Sequence, residues 1–401
     1  MPTRSPEGTP NPPAPWLYRV GPFFVGSFLR HRMKLEVDLG DIEQEQGPFV
    51  VLANHAAVYD PLVLAYALQR IPLNFVGGYD YFRVPGLRWL LQQLGAIRKF
   101  QYHTDLASLR AMSGVIQRGG RLALFPTGRL STVGEGRSVT PALVKLLKKW
   151  DVPVYGVTLA GTYFIKPKWA RYRRYGPVHV HVQRLLTQAD LRTKSLEEIL
   201  AACQAITQYD AYKDSLTRFS YQGKNLAEGL EKILYHCPVC HHEYELVSQG
   251  DNLRCTHCGS HWILQADGYF QEGSFPVSPH AWMDTQKDLL RAKIQEPNFQ
   301  LQTVVTHRAT DLRIMKKMSP EEGLLTMNEA ELRLDRKDQP SLVFPLRGLD
   351  SLPFRAGANI EIASDTAVHT FSFDHGQQAI KWSLAVEVWA EIREEQARHN
   401  G

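Results

Sequence analysis

The chain has 401 residues, 44% of them hydrophobic and 22% charged, with a formal net charge of +5 and a pI near 8.8. That length exceeds one typical core and implies two or three domains, while the composition is that of a globular protein. The mild positive balance suits an anionic membrane surface or a phosphorylated substrate, a trait shared with many housekeeping proteins; no run of 18 or more apolar residues is present, so no transmembrane helix is expected.

In chain order, residues 1–15 are rich in Pro, Ser and Gly, lack an apolar stretch of the secretory kind, and read as a disordered lead. Residues 16–32 mix aromatics with cations. Two readings stand: Trp16, Tyr18, Phe23, Phe24 and Phe28 lie in a lipid interface with Arg30 and Arg32 on headgroups, or the segment is a helix packed on its own domain. From 48 to 183, short apolar runs alternate with helical periodicity. Strands are expected at 48–53, 73–76, 121–125, 153–159 and 177–182, and helices at 61–69, 86–94, 105–118 and 139–149. This alternation indicates an α/β sheet with helices on both faces, whose ligands sit at the carboxyl ends of strands.

One such end carries chemistry. The apolar run 49–53 stops at Asn54-His55, and Asp60 follows five residues later. Histidine titrates near neutrality, so it can take a proton and return it, and a carboxylate on the other ring nitrogen fixes the tautomer. On an ideal helix residues five apart point about 140° away from each other. The pair therefore meets only if His55 sits in the strand-to-helix turn and Asp60 in the first helical turn.

His55 with Asp60 resembles the H-x4-D signature of the glycerolipid (1-acylglycerol-3-phosphate) acyltransferases. Leu94-Gly95-Ala96-Ile97 with Arg98 and Lys99 is similar to that family's second block. Phe125-Pro126-Thr127-Gly128-Arg129-Leu130-Ser131 is similar to its third, and Val152-Pro153-Val154 to its fourth. The resemblance covers about half of the chain. It departs from the pattern at Thr127, where the family has Glu, at Leu130, where it has Arg, and near Gln101, where a further Arg is expected. Those family residues hold the glycerol phosphate of the acceptor, so the departures put a phosphate-bearing acceptor in question.

Residues 164–175 hold five cations among four aromatics. This fits an interface with Trp169, Tyr172 and Tyr175 at headgroup level and Lys166, Lys168, Arg171, Arg173 and Arg174 on phosphates; it fits RNA, or a solvated loop, as well. Residues 194–234 show helical spacing with a break near Ser220–Gly223 and read as two helices. Then come Cys237-x-x-Cys240 and, after fourteen residues, Cys255-x-x-Cys258, the spacing of a zinc ribbon. Four thiolates complete a closed tetrahedron with no position for water, so the expected zinc is structural. Paired knuckles of this kind belong to a reducing compartment. His236, His241, His242 and His257 are read as surface or supporting residues, and Cys203 as a small buried hydrophobe.

A helix is expected over 280–294. Beyond about 298, alternating segments at 323–327, 331–334, 341–346, 359–362 and 369–373 read as short antiparallel strands. They lead to a helix over 378–396 with Trp382 and Trp389 on one face. Strands closed by one C-terminal helix resemble a pleckstrin-homology (PH) or GRAM-like barrel, against a generic α+β domain.

The expected organisation is therefore a lead at 1–15, an acyltransferase domain at 16–220, a helix and zinc ribbon at 221–275, and a helix with the PH/GRAM-like domain at 276–401. The resemblance implies acyl transfer from acyl-CoA or acyl carrier protein to a lysophospholipid or lysophosphatidic acid hydroxyl. His55 is the implied general base with Asp60, and Asn54, Arg98, Lys99, Phe125, Pro126, Thr127, Gly128 and Arg129 are the implied substrate contacts. It implies a peripheral place on the cytoplasmic face of a membrane. A catalytically altered lipid-binding or scaffold protein is the alternative that Thr127 and Leu130 suggest. A nucleic-acid partner is not expected, because Arg254 is the only Arg or Lys between 237 and 258.

Overall fold

The computed structural model describes residues 10–99, 105–214, 219–312, 314, 316–364 and 366–399. The expected lead lies outside the described residues up to position 9, and so does Gln101. The chain divides into two compact units: the first comprises the residues up to Lys168 with Arg173–Gly223, the second Trp169–Tyr172 with everything from Lys224 on.

In the first unit, helix α1 (Pro15–Arg32) and strand β1 (Leu35–Asp38) precede β2 (Val50–Ala53), α2 (Asp60–Ala67), β3 (Asn74–Gly78), α3 (Pro85–Gln93), β4 (Ile97–Lys99), α4 (Leu106–Gln117), β5 (Leu122–Leu124), α5 (Pro141–Trp150), β6 (Val154–Ala160), α6 (Thr162–Ile165), β7 (Val178–Leu186), α7 (Gln188–Thr193) and α8 (Leu196–Thr207). The strands form one sheet in the order β1-β7-β6-β2-β5-β3-β4. All neighbours are parallel except β6 and β7. Both faces of β2 are buried, which is why it reads as an unbroken apolar run. Val51 and Ala53 pack with Leu29, Met33, Val63 and Leu64 on one side of the sheet. Val50 and Leu52 pack with Met112, Val115, Leu147 and Trp150 on the other. Boundaries follow local chemistry: Asp105 caps α4 by accepting from Ser108 N, and Ser195 with Glu198 forms a capping box on α8.

Three expectations need correction, and the two readings of residues 16–32 divide the segment between them. Residues 10–14 are held, not loose: Asn74 Nδ2 donates to Asn11 O, and Ala14 N donates to Gln93 O. Of the aromatics on α1, Tyr18 is drawn inward, its hydroxyl donating to Leu73 O at 3.1 Å, and Phe28 packs on the core, while Phe23 and Phe24 stay 82% and 75% exposed. The cation-rich stretch 164–175 is largely an interior segment, since Phe164, Trp169 and Arg174 are buried. Finally, only the first of the two helices expected over 194–234 forms. Leu226, Ala227, Leu230, Ile233 and Leu234 are buried at helix-like spacing, but Asn225 (φ 54°) and Gly229 (φ 105°) are left-handed and break the helix. A Cβ on Gly229 would lie 2.1 Å from Trp169 O, so the backbone there admits only glycine.

The second unit holds a small antiparallel sheet, β8 (Leu246–Gln249), β9 (Asn252–Cys255) and β10 (His261–Ile263), in the order β10-β9-β8. Helix α9 (Pro279–Ile294) follows. A second sheet contains β11 (Leu301–Asp311), β12 (Glu321–Met327), β13 (Glu331–Arg336), β14 (Gln339–Pro345), β15 (Phe354–Arg355), β16 (Asn359–Ala363) and β17 (Ala367–Phe373), and α10 (Gln378–His399) ends the chain's described part. Its seven strands are antiparallel throughout, in the order β14-β13-β12-β11-β17-β16-β15. Trp382 and Trp389 are both buried, the former against Phe373 and the latter against Phe299.

Candidate active site and cysteine cluster

The last residue of β2 is Ala53, and the next two positions set up the site. Asn54 is buried and bonds the backbone of Leu159 twice, donating from Nδ2 to its carbonyl at 3.2 Å and accepting its N–H on Oδ1 at 2.7 Å. This ties the carboxyl end of β2 to the end of β6. Asn54, 1% exposed, therefore fixes the turn. His55 leaves the strand in that turn, and Asp60 opens α2, the placement that the five-residue spacing demands. His55 Nδ1 lies 2.8 Å from Asp60 Oδ2. The same oxygen accepts from Ala56 N at 2.7 Å and Ala57 N at 2.8 Å.

Asp60 is fully buried, while the His55 side chain keeps 17% exposure. A carboxylate accepts only, so His55 carries its proton on Nδ1 and offers Nε2 to the outside. Two backbone N–H groups thus converge on Asp60 Oδ2 in the first turn of α2. The imidazole is braced from a third side: its ring stacks on Phe125 with centroids 4.3 Å apart. Its carbonyl accepts from Ser131 N at 3.0 Å, so the 125–131 turn is pinned to the histidine. Ser131 Oγ in turn accepts from Gly134 N at 2.8 Å. The bracing role of Ser131 went unseen in the sequence, because a backbone N–H leaves no trace in residue type.

The turn is built from its own residues. Gly128, at φ 65°, donates its N–H to Phe125 O at 3.0 Å, so that amide is not available to a reacting oxygen. Thr127 Oγ1 donates to Arg129 O at 3.2 Å. Pro126, Thr127 and Arg129 are half-buried beside the pair. Arg98 and Lys99 are exposed on β4, three strands from β2, with the Arg98 guanidinium 5.1 Å from the Tyr79 ring centre. They share the carboxyl edge with His55 but stand apart from it.

The family model Acyltransferase matches residues 34–160, a span that contains β2, the His55–Asp60 pair and the 125–131 turn. Residues 34–160 belong to the Acyltransferase family. Among solved structures, the 1-acyl-sn-glycerophosphate (LPA) acyltransferase PlsC of Thermotoga maritima is 22% identical, with a TM-score of 0.38 over 43% of this chain and 69% of that one. An SsgA-like sporulation-specific cell division protein of Thermobifida fusca is 11% identical, with a TM-score of 0.16 over 26% of this chain and 98% of that one. No curated protein matches.

In the second unit the four knuckle cysteines converge: their sulfurs all lie within 4.8 Å of one another. Cys237 and Cys258 sulfurs are 3.8 Å apart, and those of Cys240 and Cys255 3.7 Å. A tetrahedron with Zn–S bonds near 2.3 Å has edges of about 3.8 Å, so the spacing fits zinc. Both knuckles use one backbone device. His241 N returns to Cys237 O and Gly259 N to Cys255 O, each donor in a left-handed conformation. Burial pushes the Cys237 thiol up to about 12 and raises Cys255 as well. A bound cation is what would hold those groups as thiolates. Helix α9 fixes the approach to the first knuckle. The Oε1 of buried Gln286 accepts from Tyr235 N and His236 N, and Trp282 Nε1 donates to His236 O.

Proposed function

We propose that the acyltransferase domain moves a fatty acyl group from a thioester donor, acyl-CoA or acyl carrier protein, to the hydroxyl of a lysophospholipid or lysophosphatidic acid. The observation that carries this is the His55–Asp60 contact at 2.8 Å in a partly open turn at the sheet's carboxyl edge. The acceptor hydroxyl would bond His55 Nε2. His55 would take its proton as the oxygen attacks the thioester carbon, and Asp60 would stabilise the imidazolium. When the tetrahedral intermediate collapses, the C–S bond breaks and the leaving sulfur receives that proton. No protein nucleophile takes part, so no acyl-enzyme forms. Arg129 is the cation of the turn nearest the pair in sequence and would serve the developing oxyanion or an acceptor phosphate. Assay with lysophosphatidic acid or a lysophospholipid plus acyl-CoA tests this. His55→Ala and Asp60→Ala should each lose about 10²- to 10⁴-fold in rate. Turnover at the wild-type level in either variant rejects the mechanism.

No helix among the described residues is long and apolar enough to cross a membrane. The first unit does expose an aromatic surface. Trp16 and Trp89 lie 6.2 Å apart, both about half exposed, with Phe23 and Phe24 further along α1 and Val84 beside α3. This supports a peripheral seat on the inner, anionic face of a membrane. Phe23→Ala/Phe24→Ala should reduce co-sedimentation with anionic vesicles, and undiminished binding removes α1 from the contact. In the second unit, the cysteine cluster is read as a structural zinc ribbon over 221–275. The seven strands and final helix support a PH/GRAM-like reading of 276–401, which an experimental structure showing the sheet open and flat would withdraw.

A further inference from the structure

A cavity of about 490 Å³ opens beside the edge strand β4, between α3 and α4. Three guanidinium side chains line it, Arg88 from α3, Arg98 from β4 and Arg110 from α4, together with the rings of Tyr79 and Phe82. Among the described lining residues the one carboxylate is Asp105, and it already accepts from Ser108 N at 3.0 Å as the cap of α4. Small apolar residues, among them Ala96 and Ala111, form part of the wall. Net positive charge, aromatic rings and this volume suit a phosphorylated ring compound.

Position narrows the choice. The sheet order runs β2-β5-β3-β4, so β4 stands three strand steps from the strand that presents His55. At the usual strand spacing that is about 14 Å. A ligand that used both places would need its anionic end and its reactive end joined by an extended arm of that length. We infer that this cavity holds the nucleotide end of a coenzyme A thioester, and that the arginines select that donor over a carrier protein. The inference rests on the acyl-transfer reading of the His55 site. The pantetheine arm, built of pantoyl, β-alanyl and cysteamine units, bridges such a gap when extended. A carrier protein ends the same arm in a folded domain, which does not enter a cavity of about 490 Å³.

Calorimetric titration of the full chain with coenzyme A, without acyl group or acceptor, tests this independently of turnover. Arg88 and Arg110 are exposed, so Arg88→Ala/Arg110→Ala should melt as wild type does. It should bind coenzyme A and 3′,5′-ADP at least about tenfold more weakly, while binding phosphopantetheine alone unchanged. Wild-type binding should also weaken steeply with salt. Equal coenzyme A affinity in the two proteins overturns the assignment. So does displacement of 3′,5′-ADP by lysophosphatidic acid at similar concentration, which would make the cavity a headgroup site. Turnover with acyl carrier protein and no coenzyme A binding overturns it and leaves the His55 mechanism standing. Absence of turnover with every donor, alongside arginine-dependent coenzyme A binding, supports the cavity assignment and removes only the acyl-transfer reading.

Discussion

At the residue scale the site depends on buried side chains that never reach a substrate. Asn54 shows this best. Its amide replaces a missing rung between β2 and β6 by bonding both polar groups of Leu159, and it stands immediately before the histidine. Asn54→Ala should leave a buried N–H and C=O unpaired, which costs about 2 kcal/mol or more. The variant should therefore unfold at lower denaturant. It should also lose kcat, because His55 is released from its turn, while KM for the acceptor holds steady. A rise in KM with unchanged stability would mean that Asn54 touches the substrate after all. Sequence alone could not separate these roles, since an asparagine in a turn looks the same whether it faces inward or outward. The His55–Asp60 pair was legible for the opposite reason. Two titratable residues at fixed spacing after an apolar strand leave few ways to meet, and the structure uses the one that the helical geometry allows. Gly128 marks a limit of such reading: it was an implied substrate contact, yet the turn itself consumes its N–H.

At the element scale, β4, three residues with only Ile97 buried, escaped the sequence reading, while β2, β5 and β6 were readable because strands buried on both faces are continuous apolar runs. Strand β11 was not. Along it only Leu301, Val305 and His307 are buried, and one inward position is a histidine, so the alternation that announces a half-buried strand is blurred. The missing second helix before the knuckles failed in the other direction. Its apolar spacing is real, but Gly229 and Asn225 turn the backbone left-handed, and packing against Trp169 O decides. The cysteine spacing gave the knuckles outright, and their energetics follow. The three-stranded sheet beside them offers few buried side chains, mainly Leu246, Leu253 and Trp262, so metal binding would supply much of its stability. Elemental analysis of purified protein should give one zinc per chain. A strong chelator should lower the unfolding temperature of the second unit and leave that of the first in place. A metal-free protein with unchanged melting would show that the cysteines pack as thiols only.

At the scale of the whole molecule, acid should act unequally on the two units, because the second sheet buries a chain of titratable groups. Ser364 Oγ lies 3.1 Å from His369 Nε2, His369 Nδ1 lies 3.0 Å from His307 Nε2, and His307 Nδ1 lies 2.9 Å from Glu321 Oε1, which Arg336 also donates to. With both rings neutral, Glu321 accepts from His307 Nδ1 and His307 Nε2 accepts from His369 Nδ1. The single Ser364 hydroxyl proton then serves either His369 Nε2 or Ala367 O. Burial first, and then the neighbouring His307 and Arg336, hold His369 down at about 4, and burial lowers His307 too, against the pull of Glu321. In the unfolded chain a histidine titrates near 6.5. The folded value is the lower one, so the unfolded state binds the proton first. The stabilisation is complete above about pH 6.5 and drains away as pH falls toward 4. For His369 alone the shift corresponds to about 3 kcal/mol. Glu321 adds loss of the same sign: its burial would raise it, but its bonds to His307 and Arg336 prevail and lower it. Denaturant unfolding of the second unit, followed from pH 7 to pH 4, should show this loss. His369→Gln keeps a donor and an acceptor in place without a titrating ring, so its stability should start lower at pH 7 and fall less steeply. That comparison separates the histidines from acid release of metal at the cysteines, which both proteins share. Parallel pH curves for the variant and the wild type would show that the buried rings do not set the acid limit.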